Sequence, residues 1–140
     1  MRMTVTDGIT TVQQQGFDRG SAAEWLSMGQ LHPNALLEGS DPAVDSALQL
    51  LTPHLGEPVV WTDTSLSHEL PTGAVGALVL RDVGDLGEEQ QALLLNWLDV
   101  APPATQVLST TARPLFPRVT AGLFNPALYY RINTRLLTLA

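Results

Sequence analysis

Arg81, Asp82 and Asp85 are the residues whose types and spacing could do chemistry in this chain. They follow directly on Ala77, Leu78, Val79 and Leu80, an apolar run of the kind that forms a strand buried on both faces of a parallel sheet. In an open α/β sheet, ligands are handled beyond the carboxyl ends of the strands, so a cation and two carboxylates stand where a ligand or metal would be held. The same residues also suit a solvated turn, the simpler reading on residue types alone. An enzyme built on Asp82 and Asp85 would have neither a histidine nearby in sequence nor a recognisable motif. His68 and Glu69 form an isolated pair in a connector, too few groups for a metal centre or a proton relay, and receive no role.

Composition bounds the protein that positions these groups. With 140 residues, 44% of them hydrophobic, the chain suits one α/β domain with a real core and is not a disordered acidic tail. The absence of cysteine rules out disulfides, thiolate zinc sites and a cysteine nucleophile. All seven cations are arginines, and fourteen acids leave a net charge of −7, which opposes attachment to nucleic-acid phosphates. The first thirty residues lack the basic-then-apolar pattern of a signal peptide, and no apolar run approaches the ~18 residues of a membrane span, so a cytoplasmic location is expected.

In order along the chain, residues 1–20 have little periodicity and are expected to form a loosely held arm, with the domain proper at 21–140. Ser21 can cap a short helix to Gly29 that anchors through Trp25, and His32 and Pro33 break the pattern. Asn34–Glu38 reads as a first strand. Ser40 or Asp41 before Pro42 signals a helix start, with Val44, Ala47, Leu48, Leu51 and Leu55 at helical spacing. A second strand is expected at Glu57–Thr62 and the third at the apolar run. Asp85 with Glu88 three residues on reads as a capping box for a helix over 87–99, its buried stripe made by Leu93, Leu94, Trp97 and Leu98. Gln106–Ser109 reads as a fourth strand ended by Thr110 and Thr111, and Arg113–Thr120, with two prolines, as a loop. Asn125 and Pro126 start a last short helix before a fifth strand at Thr134–Leu139.

These segments carry a resemblance. GALVLRDVGDL, from Gly76 to Leu86, resembles the Walker B strand of the AAA+ domain in sigma-54-dependent transcription activators, typically GGTLFLDEIGEL. TQVLSTT, Thr105–Thr111, resembles the following strand with its sensor I end, and GLFNPALYYRIN, Gly122–Asn133, is similar to the family's GxFRxDLYYRLN. The resemblance implies a three-layer α/β domain with about five mostly parallel strands. It places Gly39, Ser40 and Asp41 at the Walker A position, Arg81, Asp82 and Asp85 at Walker B, and Thr110 and Thr111 at a sensor-like position.

The departures from the family pattern are chemical. A Walker A loop needs glycines, a lysine for the β and γ phosphates, and a hydroxyl for magnesium; only Gly39 and Ser40 remain. The family's Asp-Glu is replaced by Arg81 and Asp82, the family's sensor asparagine by Ala112, and the Asp63–Val75 connector has no GAFTGA loop. The family's helical lid and helix-turn-helix are expected to have no room in these 140 residues. The expectation is a catalytically inactive relative without cofactor or metal. It would act through an unidentified protein partner in bacterial transcription control, with no direct contact to DNA or membrane. The alternative is weak nucleotide or anion binding at the Gly39–Asp41 turn, where a helix begins. Phe124, Tyr129, Tyr130 and Arg131 are the candidates for a surviving subunit interface, against packing of that helix on the sheet with Arg131 paired to an acid. Arg81 is expected to act as an internal cation, paired with Asp41, Asp82 or Asp85.

Overall fold

The computed structural model describes residues 2–6, 11–15, 34–63, 70–73, 75–102 and 104–139. The helix expected at Ser21–Gly29 with Trp25, the break at His32 and Pro33, and the His68–Glu69 pair lie outside the described residues. Strands β3 (Ala35–Glu38), β4 (Val59–Asp63), β5 (Ala77–Arg81), β6 (Gln106–Thr111) and β7 (Arg135–Leu139) pair in parallel, in the order β7-β3-β6-β5-β4. This is the five-stranded parallel core that the apolar runs imply.

Two further strands extend it. β1 (Arg2–Thr6) and β2 (Thr11–Gln15) form an antiparallel hairpin whose first strand pairs with β7, so the sheet has seven strands. Where the sequence suggests a loose arm, backbone pairing supplies the order: the outer edge of β7 would otherwise expose a row of unpaired amides and carbonyls. Thr4, Val5 and Thr6 in β1 and Thr11 and Val12 in β2 favour the extended conformation.

Helices cover both faces. Helix α1 (Asp41–Leu51) buries Val44, Ala47, Leu48 and Leu51 against Ala35, Leu37, Val79 and Leu108. On the other face, α2 (Glu88–Val100) and α4 (Pro126–Ile132) pack Leu94, Leu98, Leu128 and Ile132 against Leu36, Leu78, Leu80 and Val107. The alternation of strand residues between these two cores is the two-residue period of a strand covered on both sides.

Two local expectations change and one is refined. Pro53, which with Gly56 is expected to close α1, ends it at Leu51, and Thr52–His54 form a 3-10 turn that leaves Leu55 outside the helix. The stripe of α2 is Gln91, Leu94 and Leu98, while Leu93 is half exposed and Trp97 sits at the margin, donating its indole N–H to the Pro71 carbonyl at 2.9 Å. Leu93 lies between turns of that stripe, so its neighbour Leu94 takes the inward position. Within the expected loop, Phe116–Thr120 form a short helix, α3, with Pro117 in its first turn, where a missing amide hydrogen costs nothing.

Two polar clamps join these layers. Asn34 donates its side-chain amide to the Arg131 carbonyl at 2.9 Å and accepts the Val107 N–H at 2.8 Å, tying α4 to the start of β6. Buried Gln91 donates to the Leu86 and Leu123 carbonyls at 2.9 and 3.1 Å and accepts the Asn125 N–H at 2.7 Å. Its three bonds fix the turn before α4 to α2, and a buried amide so satisfied is worth more than its burial costs.

Gly76 opens β5 where backbone meets backbone. A Cβ there would fall 2.5 Å from the Gly56 carbonyl oxygen and 2.7 Å from the Glu57 nitrogen, whereas one on Gly73 would meet nothing within 4 Å. Gly76→Ala should therefore lower stability by about 1–3 kcal/mol and Gly73→Ala by less than about 0.5 kcal/mol, read as shifts in the urea midpoint. Equal midpoints for the two variants would contradict this packing.

Candidate functional site

The connectivity creates one switch point. From β3 the chain runs through α1 to β4 at one edge, and from β6 it runs through α3 and α4 to β7 on the other side of β3. Ligands in open α/β sheets bind at the carboxyl ends of the strands at such a divergence. Here Gly39 fills it: its N–H donates to the Thr111 carbonyl at 3.0 Å, and a Cβ on it would lie 2.7 Å from the Leu139 Cβ.

The start of α1 is equally committed. Ser40 is the N-cap and its hydroxyl accepts the Ala43 N–H at 3.4 Å, Pro42 has no N–H, and the Asp41 carboxylate occupies the positive end of the helix dipole. The Gly39–Asp41 segment is a strand-to-helix turn, as its residue types imply.

Arg81 takes a partner the sequence does not suggest. Its Nη1 donates to Asp45 Oδ1 at 2.6 Å, with the arginine side chain 29% and the aspartate 56% exposed. Asp41 and Asp85 are thereby corrected as expected partners. Arg81 shares the face of Val79, the α1 side of the sheet, and meets the helix one turn in, at Asp45 rather than Asp41. Asp82 follows in the left-handed conformation, φ 57° and ψ 47°, which turns the chain sharply off β5 into a 3-10 turn at Val83–Asp85. Aspartate tolerates that region better than most residues. Asp85 is consequently spent in that turn, and Gly87 caps α2 instead, its N–H held at 2.9 Å by the Gln90 side chain.

Thr110 and Thr111 are the last two residues of β6, and both hydroxyls are engaged. Thr110 Oγ1 accepts the Asp82 N–H at 3.2 Å, and Thr111 Oγ1 donates to the Arg113 carbonyl at 2.8 Å. A polar cavity of about 320 Å³ opens beside them, lined by Asp82, Asp85, Thr111, Arg113 and Arg118. Among the described residues no three histidine, cysteine or carboxylate side chains converge as a metal centre would require.

Glu38 is the site residue that sequence reading passed over. It ends β3 on the face of Leu36, is 8% exposed, and accepts the Leu115 N–H at 3.2 Å. Burial pushes its carboxyl above the ordinary carboxylate range, against the smaller lowering effect of that hydrogen bond. Alternation from Leu36 placed it on this face in advance, but its burial depends on Leu115 folding over the strand ends. Nearby Tyr129 is also raised, first by burial and then by the Glu38 charge.

The expected interface residues divide. Phe124 and Tyr129 are core residues at 2% and 6% exposure, Tyr129 packing its ring 5.8 Å from Phe116 and 5.3 Å from Tyr130. Tyr130 faces outward. Arg131 pairs with Asp99 and donates from Nη2 to the Leu98 carbonyl at 3.0 Å, which ties α4 to the end of α2.

A parallel five-stranded sheet in this order, covered on both faces, with a strand-to-helix turn at the switch point, defines a P-loop-like AAA+ domain. The chain belongs to the sigma-54 interaction domain family, whose model matches residues 57–140. Among solved structures, NtrX from Brucella abortus in complex with ATP superposes with a TM-score of 0.68 at 16% identity, over 86% of this chain and 36% of that one. NtrX from the same organism in another crystal structure gives 0.64 at 15% identity, over 91% and 37%. The Thermotoga maritima RuvB Holliday junction branch migration motor gives 0.53 at 15%, over 86% and 42%. The chain thus spans well under half the length of these proteins, and the likeness is one of fold. No curated protein matches the sequence. Among the described residues no helix is long and apolar enough to cross a membrane.

Two outcomes follow from the geometry. Because the folded chain holds the Glu38 proton more tightly than the unfolded chain, this residue's contribution to stability is full below about pH 4.5 and is lost as pH rises through the elevated folded value. Glu38→Gln keeps an acceptor for Leu115 and should remove this decline, so its stability relative to the parent should be higher at pH 8 than at pH 4; parallel stability–pH curves would refute it. The half-exposed Arg81–Asp45 pair should be worth no more than about 1 kcal/mol, so Arg81→Ala and Asp45→Ala should each lower the melting temperature slightly, and the double variant by less than their sum.

Proposed function

We propose that this domain has lost ATP hydrolysis and acts through protein contact, as a regulatory piece of cytoplasmic transcription control in bacteria. The observation that carries this reading is Arg81, which stands at the family's Walker B aspartate position and is bound to Asp45. A cation cannot ligate a cation. In P-loop enzymes, phosphoryl transfer depends on a magnesium held beside the Walker B acid and on a lysine at the phosphates, and this sequence contains no lysine. The donor set at the strand ends therefore does not fit a magnesium nucleotide. The degenerate Walker A residues Gly39, Ser40 and Asp41, Walker B residues Arg81, Asp82 and Asp85, and sensor-like Thr110 and Thr111 are read as structural remnants.

Anion binding at the Gly39–Asp41 turn is the weaker reading. The Gly39 amide is taken by Thr111, Ala43 is capped, and Asp41 would repel a phosphate. The chain's excess of acid likewise disfavours direct DNA contact. Without a GAFTGA loop in the Asp63–Val75 connector, the domain alone should not open a sigma-54 promoter complex.

Magnesium-dependent phosphate release should not exceed that of a mock purification, and ATP or ADP with magnesium should leave the melting temperature unchanged, since a ligand of the folded state must raise it. Release that scales with protein and changes with Arg81→Ala would overturn the proposal.

A further inference from the structure

We propose that the outer edge of β4, together with the groove between Trp61 and α1, takes an extended basic segment of a partner protein as an added strand. This names a partner class for the protein-contact reading above and rests on it.

β4 is the last strand of the sheet, and among the described residues it pairs only with β5. The Pro58 carbonyl accepts from the Gly76 and Ala77 amides, so it faces β5. Because backbone groups of successive strand residues point to opposite edges, the N–H and C=O of Val59, Trp61 and Asp63 face away from β5, available to a further strand. Trp61 lies beside Val79 in the register, on the α1 side of the sheet, and is 51% exposed, a large apolar ring on a strand edge. It borders an open groove of about 440 Å³ whose other walls are Asp45, Leu48, Gln49, Thr52 and Arg81. An added strand brings alternate side chains over this groove while its backbone meets β4, which is how sheet edges recognise extended peptides.

The charge around the edge selects the occupant. Exposed Glu57 precedes β4, exposed Asp41 opens the helix that walls the groove, and the cation of the groove, Arg81, is already held by Asp45. An acidic segment or a second copy of this chain, at net −7, would meet like charge, whereas lysine or arginine alternating with apolar residues would meet complementary charge and an indole ring.

A capped heptapeptide alternating valine and lysine, titrated into the full chain at low salt, tests this against its valine–glutamate counterpart. The lysine peptide should bind at least tenfold more tightly, and slow hydrogen exchange at the amides of Val59, Trp61 and Asp63. N-methylation of its valines or of its lysines should abolish binding in one case and spare it in the other, because a strand offers only alternate amides to its neighbour. Trp61→Ala, at a half-exposed side chain, should weaken binding severalfold. Equal affinity for the two peptides, no binding at all, or no added protection at the three amides would overturn the proposal. Phosphate release measured on the same samples reports separately on the silent strand-end cleft.

Discussion

The hydrogen bond from the Gly39 N–H to the Thr111 carbonyl joins β3 to β6 at the one place where the chain leaves two adjacent strands in opposite directions. In a doubly covered parallel sheet the faces are filled with apolar side chains, so the strand ends at this divergence are the natural opening for a ligand. Here the backbone of the divergence is bonded to itself and Leu139 packs against Gly39. The remaining strand-end features adjust to that closure. Asp82 turns in the left-handed region and is held by Thr110, Leu115 folds over Glu38, and Thr111 is bonded to its own following turn.

The electrostatics follow the same economy of few cations. Arg81 and Arg131 each tie a helix to another element, Arg81 joining β5 to α1 and Arg131 joining α4 to α2. Both pairs are half exposed, so they set the position of the elements more than they stabilise the fold. The stabilising weight lies in the two apolar cores and in the satisfied amides of Asn34 and Gln91. Glu38 is the exception, a buried carboxyl that accepts the Leu115 N–H, which links stability to pH through one residue at the strand ends.

Both edges of the sheet bear on association, and they differ. At the β7 side the N-terminal hairpin continues the ladder, while at the β4 side the ladder ends beside an exposed indole and an acidic rim. Unpaired edges invite another strand unless charge or proline guards them. At β4 exposed Glu57 stands just before the strand, an acid beside the edge that carries the exposed Trp61 ring.

By itself the sequence determined the five parallel strands and helices α1, α2 and α4, because four-residue apolar runs, cap-and-proline starts and helical spacing act within a few residues of chain. It also determined the family resemblance, carried by GALVLRDVGDL and GLFNPALYYRIN, and the chemical departures of the phosphate loop, since a missing lysine is legible without coordinates. Only the tertiary structure decided which acid Arg81 meets, because Asp41 and Asp45 lie on adjacent turns and the height of α1 over the sheet selects between them. It likewise decided the burial of Glu38, which depends on a loop some seventy-seven positions away, and the withdrawal of Phe124 and Tyr129 into the core. The pairing of residues 2–6 and 11–15 required the edge of β7 as a template, a long-range partner that no local pattern reveals.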